Sequence, residues 1–122
     1  MGAAAVLLYG APSAPLAQPR NVLLGNLIGS VVGVSFGTFM PINLHWLGGA
    51  LAVSVSLACM HVVKAVHPPG GATALIAAFL GGARAEGYLF VASTMVGYVV
   101  MIIVALLVDN VARSVSYPRY WW

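Results

Sequence analysis

The segment VHPPGGATAL, residues 66–75, interrupts a chain that is otherwise almost continuously apolar. Two prolines follow His67, and proline lacks the backbone N–H and fixes φ, so a long helix cannot continue through them. Gly70 and Gly71 permit a tight reversal of the chain. The segment therefore predicts that a long helix ends here and that a short helix starts near Ala72.

The composition around this segment is that of a protein surrounded by a lipid bilayer. Of the 122 residues, 61% are hydrophobic and only 6% are charged, whereas soluble domains carry about 25% charged residues. This predicts an integral membrane protein. The formal charge of +3 comes from scattered basic residues, which is too sparse for a surface that binds nucleic acid.

Three apolar runs reach the ~20 residues that a helix needs to span a bilayer. Two shorter runs do not, because a helix rises only ~1.5 Å per residue. The predicted fold is an all-α, polytopic transmembrane bundle in a single domain, residues 1–122. It has three long spans, near 21–40, 45–66 and 87–110, and two short half-helix or re-entrant segments, near 3–9 and 72–81.

The two short runs resemble each other and suggest an internal repeat. GAAAVLL at 2–8 aligns with GATALIA at 71–77, and each leads through a loop to a long span. Repeats with discontinuous helices are a recurring plan of transporters. In this interpretation the first copy lacks the counterpart of residues 45–66, so the chain is expected to be truncated at its N-terminus.

The basic residues favour two different topologies. If the second short run is re-entrant, Arg84 joins Arg20 and Lys64 on one side, opposite Arg113 and Arg119. If it crosses, Arg84 stands alone against the other four. The length of the run favours the first arrangement, and the positive-inside rule favours the second.

A strip of four glycines lies in the first long span, at Gly25, Gly29, Gly33 and Gly37. A spacing of four places them on one face of a helix, where small residues allow another helix backbone to approach closely. The second span or a neighbouring subunit is the expected partner. A smooth face that lines a pore is the alternative.

Three ionisable residues precede or join the break. His61 and Lys64 are three apart and share a helix face, and His67 follows at the break. Such groups are costly in a membrane and are functional candidates, although Lys64 could instead reach the interface, with both histidines at the headgroups. The ordinary His pKa of ~6.5 predicts that His67 changes charge near neutral pH.

A short helix that starts after the break would present free N–H groups and the positive end of its dipole. These favour an anion, so the predicted anion-binding residues are His67, Gly70, Gly71, Thr73, Lys64 and His61. The helix start at residues 2–5 could supply a matching set. The alternative is a break with a purely structural role.

Other chemistry finds no support in the residue pattern. The chain has no zinc-ligand spacing, no catalytic triad and no phosphate-binding glycine motif. No catalytic residue, metal or cofactor is expected, and an enzyme is not predicted. Asp109 and Asn110 are expected to cap a helix end, and SYPRYWW at 116–122 is typical of a membrane interface.

Two stretches, GAAAVLLYGAPSAPLAQPRN at 2–21 and VHPPGGATALIA at 66–77, resemble the HPP family of small integral membrane proteins. The family name corresponds to His67, Pro68 and Pro69 here, and the resemblance extends along nearly the whole chain. Family members typically have one more transmembrane helix before the Gly-Ala-rich stretch, which agrees with the truncation expected above.

The resemblance also implies a function. Cyanobacterial and chloroplast members are associated with nitrite transport, so the implied function is a transporter or channel for nitrite or a similar small anion. The implied location is a bacterial inner membrane or a chloroplast membrane. The alternative is an accessory subunit that docks other transmembrane helices or subunits through its glycine strip. In a pigment-containing complex, His45, His61 or His67 could ligate a chlorophyll magnesium, although no feature requires pigment.

Overall fold

A computed structural model describes residues 1–79, 86–112 and 115–122. All regular structure in these ranges is helical, so the predicted all-α fold is confirmed. The helices are α1 (Gly2–Gly10), α2 (Pro19–Phe39), α3 (His45–Val62), α4 (Pro68–Phe79) and α5 (Leu89–Leu107). Short 3-10 turns, Pro15–Ala17 and Ile42–Leu44, precede α2 and α3, and a π-helical turn, Val108–Ala112, continues α5.

Within the described ranges, three segments are long and apolar enough to cross a membrane, namely Pro19–Phe39, Ile42–Val62 and Leu89–Val111. They correspond to the three predicted spans. The short helices α1 and α4 have nine and twelve residues, so α4 is only ~18 Å long at ~1.5 Å per residue. The predicted residues 80 and 81 of the second short segment lie outside the described residues.

Prolines set both ends of α2. Pro19 is the first residue of the helix, where its missing N–H removes no helical hydrogen bond and its φ is already helical. Met40 precedes Pro41 and is extended, with φ −78° and ψ 135°, because the proline ring disfavours a helical residue before it. The two ends of the bundle are named after this helix, as the Pro19 end and the Phe39 end.

The glycine strip of α2 lies against the backbone of α4. Along α2, a Cβ built on each glycine would meet α4 or the residue just before it. The contacts run in order: Gly25 with His67, Gly29 with Gly70, Gly33 with Ala74, and Gly37 with Ala77 and Ala78. The helices are therefore parallel and nearly touch. The partner is α4 of the same chain, where the sequence suggested the second span or another subunit, so the strip is not free to dock another protein.

The second short helix crosses toward the Phe39 end and is not re-entrant. It starts at the level of Gly25 and finishes at the level of Gly37. After it, the Tyr88 hydroxyl lies 3.1 Å from the Ser35 hydroxyl, also near the Phe39 end. A re-entrant segment would have returned to the end at which it entered, so the half-helix description applies.

The basic residues follow the crossing arrangement. The Arg20 guanidinium donates to the carbonyl of Val63, next to Lys64, at 2.9 Å. The Arg119 N–H donates to Gln18 Oε1 at 2.8 Å, so Arg119 lies at the Pro19 end as well, and its placement opposite in the re-entrant topology is wrong. Arg84 and Arg113, on which the two topologies also differ, lie outside the described residues.

Each short helix packs on a long helix other than the one that follows it in the chain. The first long helix, α2, runs away from the Pro19 end, and α5 returns to it, because Tyr117 beyond α5 donates to the carbonyl of Ala17 at 2.9 Å. Helix α1 runs parallel to α5, with the Met1 side chain against Gly97 and the Tyr9 hydroxyl 3.3 Å from the Met101 carbonyl. Thus α4 lies on α2 and α1 lies on α5. Two units of opposite direction, each a short helix followed by a long one, have the geometry of an inverted repeat.

Candidate functional site

The chain reverses at Lys64 and not at the glycines. Helix α3 ends at Val62, and the N–H groups of Lys64 and Ala65 donate to the carbonyls of His61 and Met60 at 3.1 and 2.9 Å. This is the Schellman pattern of a helix C-terminus. Lys64 takes the left-handed position, with φ 53°, where glycine is the usual residue. The prediction that Gly70 and Gly71 make the reversal is therefore wrong.

The double proline starts α4 and does not separate the helices. Helix α4 begins at Pro68, four residues before the predicted Ala72. Two of its first-turn positions are prolines without N–H groups, and the Gly70 N–H donates to the His67 carbonyl at 2.9 Å. Thr73 and Ala72 lie inside the helix, so the predicted free amides at 71–73 are absent. A buried helix can thus begin with few unsatisfied donors, which would be costly in a membrane.

His67 is buried at the start of α4 and holds a neutral ring. Its Nδ1 lies 2.8 Å from the Leu16 carbonyl, and a carbonyl only accepts, so Nδ1 carries the hydrogen. Burial lowers the pKa of His67 to about 4, against the opposing effect of the Leu16 hydrogen bond. The expected change of charge near neutral pH is therefore wrong. Nε2 has no hydrogen-bond partner in the described part of the chain. Because the hydrogen of the neutral ring is on Nδ1, Nε2 carries only a lone pair and cannot donate to an anion.

The remaining predicted residues separate into different environments. His61 and Lys64 are exposed at the Pro19 end, with His61 Nδ1 2.9 Å from the Leu57 carbonyl. Gly70 packs on α2, and Gly71 lines a cavity of about 230 Å³ together with His67. Thr73 is buried and joins a different group of polar side chains. The six residues predicted to form one anion site are thus not brought together.

The histidines also occupy separate places. His45 and His61 are the first residue and the second-last residue of α3, so they lie ~24 Å apart along the helix at ~1.5 Å per residue. His67 is at the start of the next helix. No group of three or more His, Cys, Asp or Glu residues that could hold a metal ion occurs among the described residues.

A buried polar cluster joins α2, α4 and α5. The Thr73 Oγ1 lies 3.2 Å from Asn26 Oδ1, 3.1 Å from the Tyr98 hydroxyl and 3.1 Å from the Pro69 carbonyl. Asn26 also donates through Nδ2 to the Val22 carbonyl at 2.8 Å. Asn26, Thr73 and Tyr98 are 0%, 6% and 1% exposed. Polar groups buried in a membrane protein are costly, and they mark candidate functional sites.

The sequence analysis identified Thr73 but missed its two partners. Asn26 follows Gly25 in the glycine strip, and Tyr98 is the central residue of α5. The available signal was a polar side chain in the middle of each apolar run. Periodicity could not show that the two point at the same threonine, because this depends on how three helices pack.

A small cavity adjoins the cluster. It has a volume of about 180 Å³, and it is lined by Met1, Thr73, Ile76, Phe90, Thr94 and Tyr98. Thr94 and Tyr98 are one turn apart on α5 and therefore lie on the same face. The α5 residues of its lining run from Phe90, the second residue of the helix, to Tyr98 at its centre, so the cavity lies beside the half of α5 nearer the Phe39 end, next to Met1.

The C-terminal residues close the Pro19 end. The Asn110 side chain accepts a hydrogen bond from the Tyr117 N–H at 3.0 Å, where the sequence predicted only a helix cap. Gln18 donates to the carbonyls of Pro12 and Ala14 at 3.0 and 2.9 Å. Burial, the negative charge of Asp109 and nearby Tyr9 raise the pKa of Tyr117 to about 12, so its phenol remains protonated and can donate to Ala17.

Comparisons with known proteins identify relatives along the whole chain. The family model described as HPP, transmembrane region, matches residues 1–118. Two transmembrane proteins of Dictyostelium discoideum are 40% identical over 127 residues and 42% identical over 123 residues. Each alignment covers 98% of this chain but only 40% and 43% of the relatives. The chain therefore spans less than half of their length. No solved structure gives a significant match.

Proposed function

Because this chain belongs to the HPP transmembrane family, we propose that it forms the membrane-embedded part of a transporter for a small anion, with nitrite as the first candidate. The membrane location follows from the family and from three apolar helices.

The observation that supports transport is that each short helix packs on the long helix of the other unit, with a buried polar cluster between α2, α4 and α5. Substrate sites of secondary transporters lie near the bilayer midplane, where discontinuous helices of inverted repeats meet. Here α4 and α1 meet the opposite long helices, and Thr73 and Tyr98 lie between them. A purely structural bundle would gain more from apolar side chains at these positions.

The charge distribution supports an anion. Arg20, Lys64 and Arg119 lie at the Pro19 end, where their positive potential would raise the local concentration of anions. Inside, the cluster offers hydroxyl and amide hydrogens without an acidic side chain. His67 takes a different role from the one predicted, because its ring is neutral and bonded to Leu16. It is a positioning residue that fixes the start of α4 against the turn before α2.

The test is nitrite uptake by vesicles that contain the purified full-length protein. Uptake is followed with a nitrite-sensitive dye in the vesicle lumen, with a potassium gradient and valinomycin to set the membrane potential. Uptake well above that of protein-free vesicles is expected, and it should respond to the sign of the potential. The Tyr98→Phe variant should lose most of the uptake, because the hydroxyl of Tyr98 lies in the central cluster, while the surface variant His61→Gln should retain it.

Two outcomes would contradict the proposal. If vesicles with the intact protein take up no more nitrite than empty vesicles, the protein does not transport nitrite. Uptake that is unchanged in Tyr98→Phe would remove the central cluster from the path, even if the protein does transport the ion.

A further inference from the structure

We propose that the cavity beside Thr73 is a binding site for a small monovalent oxyanion, and that the Tyr98 hydroxyl is its specificity-determining donor. The inference rests on the proposed function for the choice of anion, but it concerns binding and can be tested without transport. Neither Tyr98 nor Thr94 was expected from the sequence to take part in a site.

The count of hydrogens shows which way the Tyr98 hydroxyl points. Thr73 has one hydroxyl hydrogen, and both Asn26 Oδ1 and the Pro69 carbonyl lie within 3.2 Å as acceptors. That hydrogen is used by one of them. At 3.1 Å from Thr73 Oγ1, the Tyr98 hydroxyl must therefore be the donor of this third contact. Its hydrogen goes to a neutral hydroxyl oxygen, which is a weaker acceptor than a charged oxygen.

The same hydroxyl can serve a ligand without movement of the ring. Tyr98 and Thr73 both line the cavity, and rotation of the phenolic O–H about its C–O bond would redirect the hydrogen toward an anion there. Thr73 would keep its own donor bond to Asn26 or Pro69. The ligand thus replaces Thr73 as the acceptor, which makes Tyr98 a donor whose partner changes on binding.

Thr94 supplies a second donor on the same side. It lies one turn before Tyr98 on α5, is 7% exposed, and lines the cavity. Ile76 and Phe90 contribute apolar side chains to the lining. A few polar groups in an otherwise apolar pocket are the usual composition of a small-molecule site.

Size and charge restrict the ligand. A cavity of about 180 Å³ is close to the ~150 Å³ cavity that holds one benzene, so the ligand has only a few non-hydrogen atoms. None of the side chains that line the cavity carries a charge. Hydroxyl donors alone cannot replace the hydration of a multiply charged ion, so a monovalent ion such as nitrite fits and sulfate does not.

The test is stabilisation of the purified full-length protein by potassium nitrite, measured as the rise of its melting temperature in detergent against equal potassium chloride. Binding to the folded state raises this temperature by mass action. Tyr98→Phe removes one hydroxyl from the site, and the nitrite concentration for half-maximal stabilisation should rise roughly ten- to hundredfold, as for the loss of one hydrogen bond to a charged group. Thr94→Val should also raise the nitrite concentration for half-maximal stabilisation.

Tyr9→Phe is the matched control, because it also removes one phenolic hydroxyl, bonded to Met101 and away from the cavity. Its nitrite response should equal that of the intact protein. The inference is overturned if nitrite raises the melting temperature of the intact protein no more than chloride does. It is also overturned if Tyr98→Phe and Thr94→Val need the same nitrite concentration for half-maximal stabilisation as the intact protein. Should Tyr98→Phe fail to fold, Thr94→Val alone decides. Stabilisation without uptake by vesicles would retain the site and remove the transport function.

Discussion

Replacement of Gly29 by alanine tests the contact on which the whole arrangement of α2 and α4 depends. A Cβ at Gly29 would point at the carbonyl oxygen of Gly70. It would lie 2.7 Å from the carbonyl carbon of Gly70 and 3.1 Å from the Cα of Gly70. These are backbone atoms, which cannot rotate away as a side chain could. The two helices would have to separate along the remaining glycine contacts, so one methyl group disturbs an interface that extends over most of α4.

The expected cost is at the upper end of what overpacking produces. Extra methylene groups in a tightly packed core typically cost about 1–3 kcal/mol, occasionally more, and the better helix propensity of alanine returns up to ~1 kcal/mol. We therefore expect Gly29→Ala to lower the free energy of unfolding by about 2 kcal/mol. Gly10→Ala is the matched control, because a Cβ there meets nothing within 4 Å.

The assay is unfolding of the purified protein from mild detergent by increasing SDS, followed by tryptophan fluorescence and by circular dichroism. Gly10→Ala should be as stable as the original protein or slightly more stable. If Gly29→Ala differs from Gly10→Ala by less than ~0.5 kcal/mol, a size typical of inconsequential surface changes, then α2 and α4 are not in backbone contact and the reasoning is refuted.

Two further predictions concern pH and topology. The pKa of His67 is about 4 in the folded chain and ~6.5 when unfolded, so the unfolded state binds more protons between these values. Stability should therefore be constant above pH 7 and fall by about 3 kcal/mol as the pH drops toward 4. Most of this dependence should vanish in His67→Gln but not in His61→Gln, and equal pH profiles would contradict the assignment. By the positive-inside rule, the Pro19 end should face the cytoplasm. In a Cys59→Ala background, an impermeant thiol reagent added outside cells should modify Ile42→Cys and not Lys64→Cys; the reverse pattern would exclude this orientation.

The positions of the long helices could be predicted because the signal for them is local. A run of about twenty apolar residues needs no information about its neighbours to be recognised as a span. The spacing of Gly25, Gly29, Gly33 and Gly37 likewise predicted a close helix contact from one helix alone. What it could not predict was the partner, because α3 and α4 both follow with small residues and only packing selects between them.

The start of α4 was misplaced because the same residues carry two local signals. Proline ends a preceding helix, but it is also favoured in the first turn of the next one. The sequence of His67, Pro68 and Pro69 satisfies both, and the reversal falls earlier, at Lys64, where glycine would have been expected. The predicted charge of His67 failed for a related reason, since burial and the Leu16 carbonyl come from segments far away in the chain.

Composition and apolar run length by themselves determined that this protein is an all-α membrane protein with three long spans and two short helices, because hydrophobic burial in lipid depends on residues that are adjacent in sequence. Only the tertiary structure decided that α4 runs alongside α2, that α1 lies along α5, and that Asn26, Thr73 and Tyr98 meet between three helices. Each of those features depends on which faces of separate helices come together. A polar side chain in an apolar run carries no record of the partner that satisfies it. That partner comes from another helix, 47 residues away for Asn26 and Thr73 and 25 residues away for Thr73 and Tyr98.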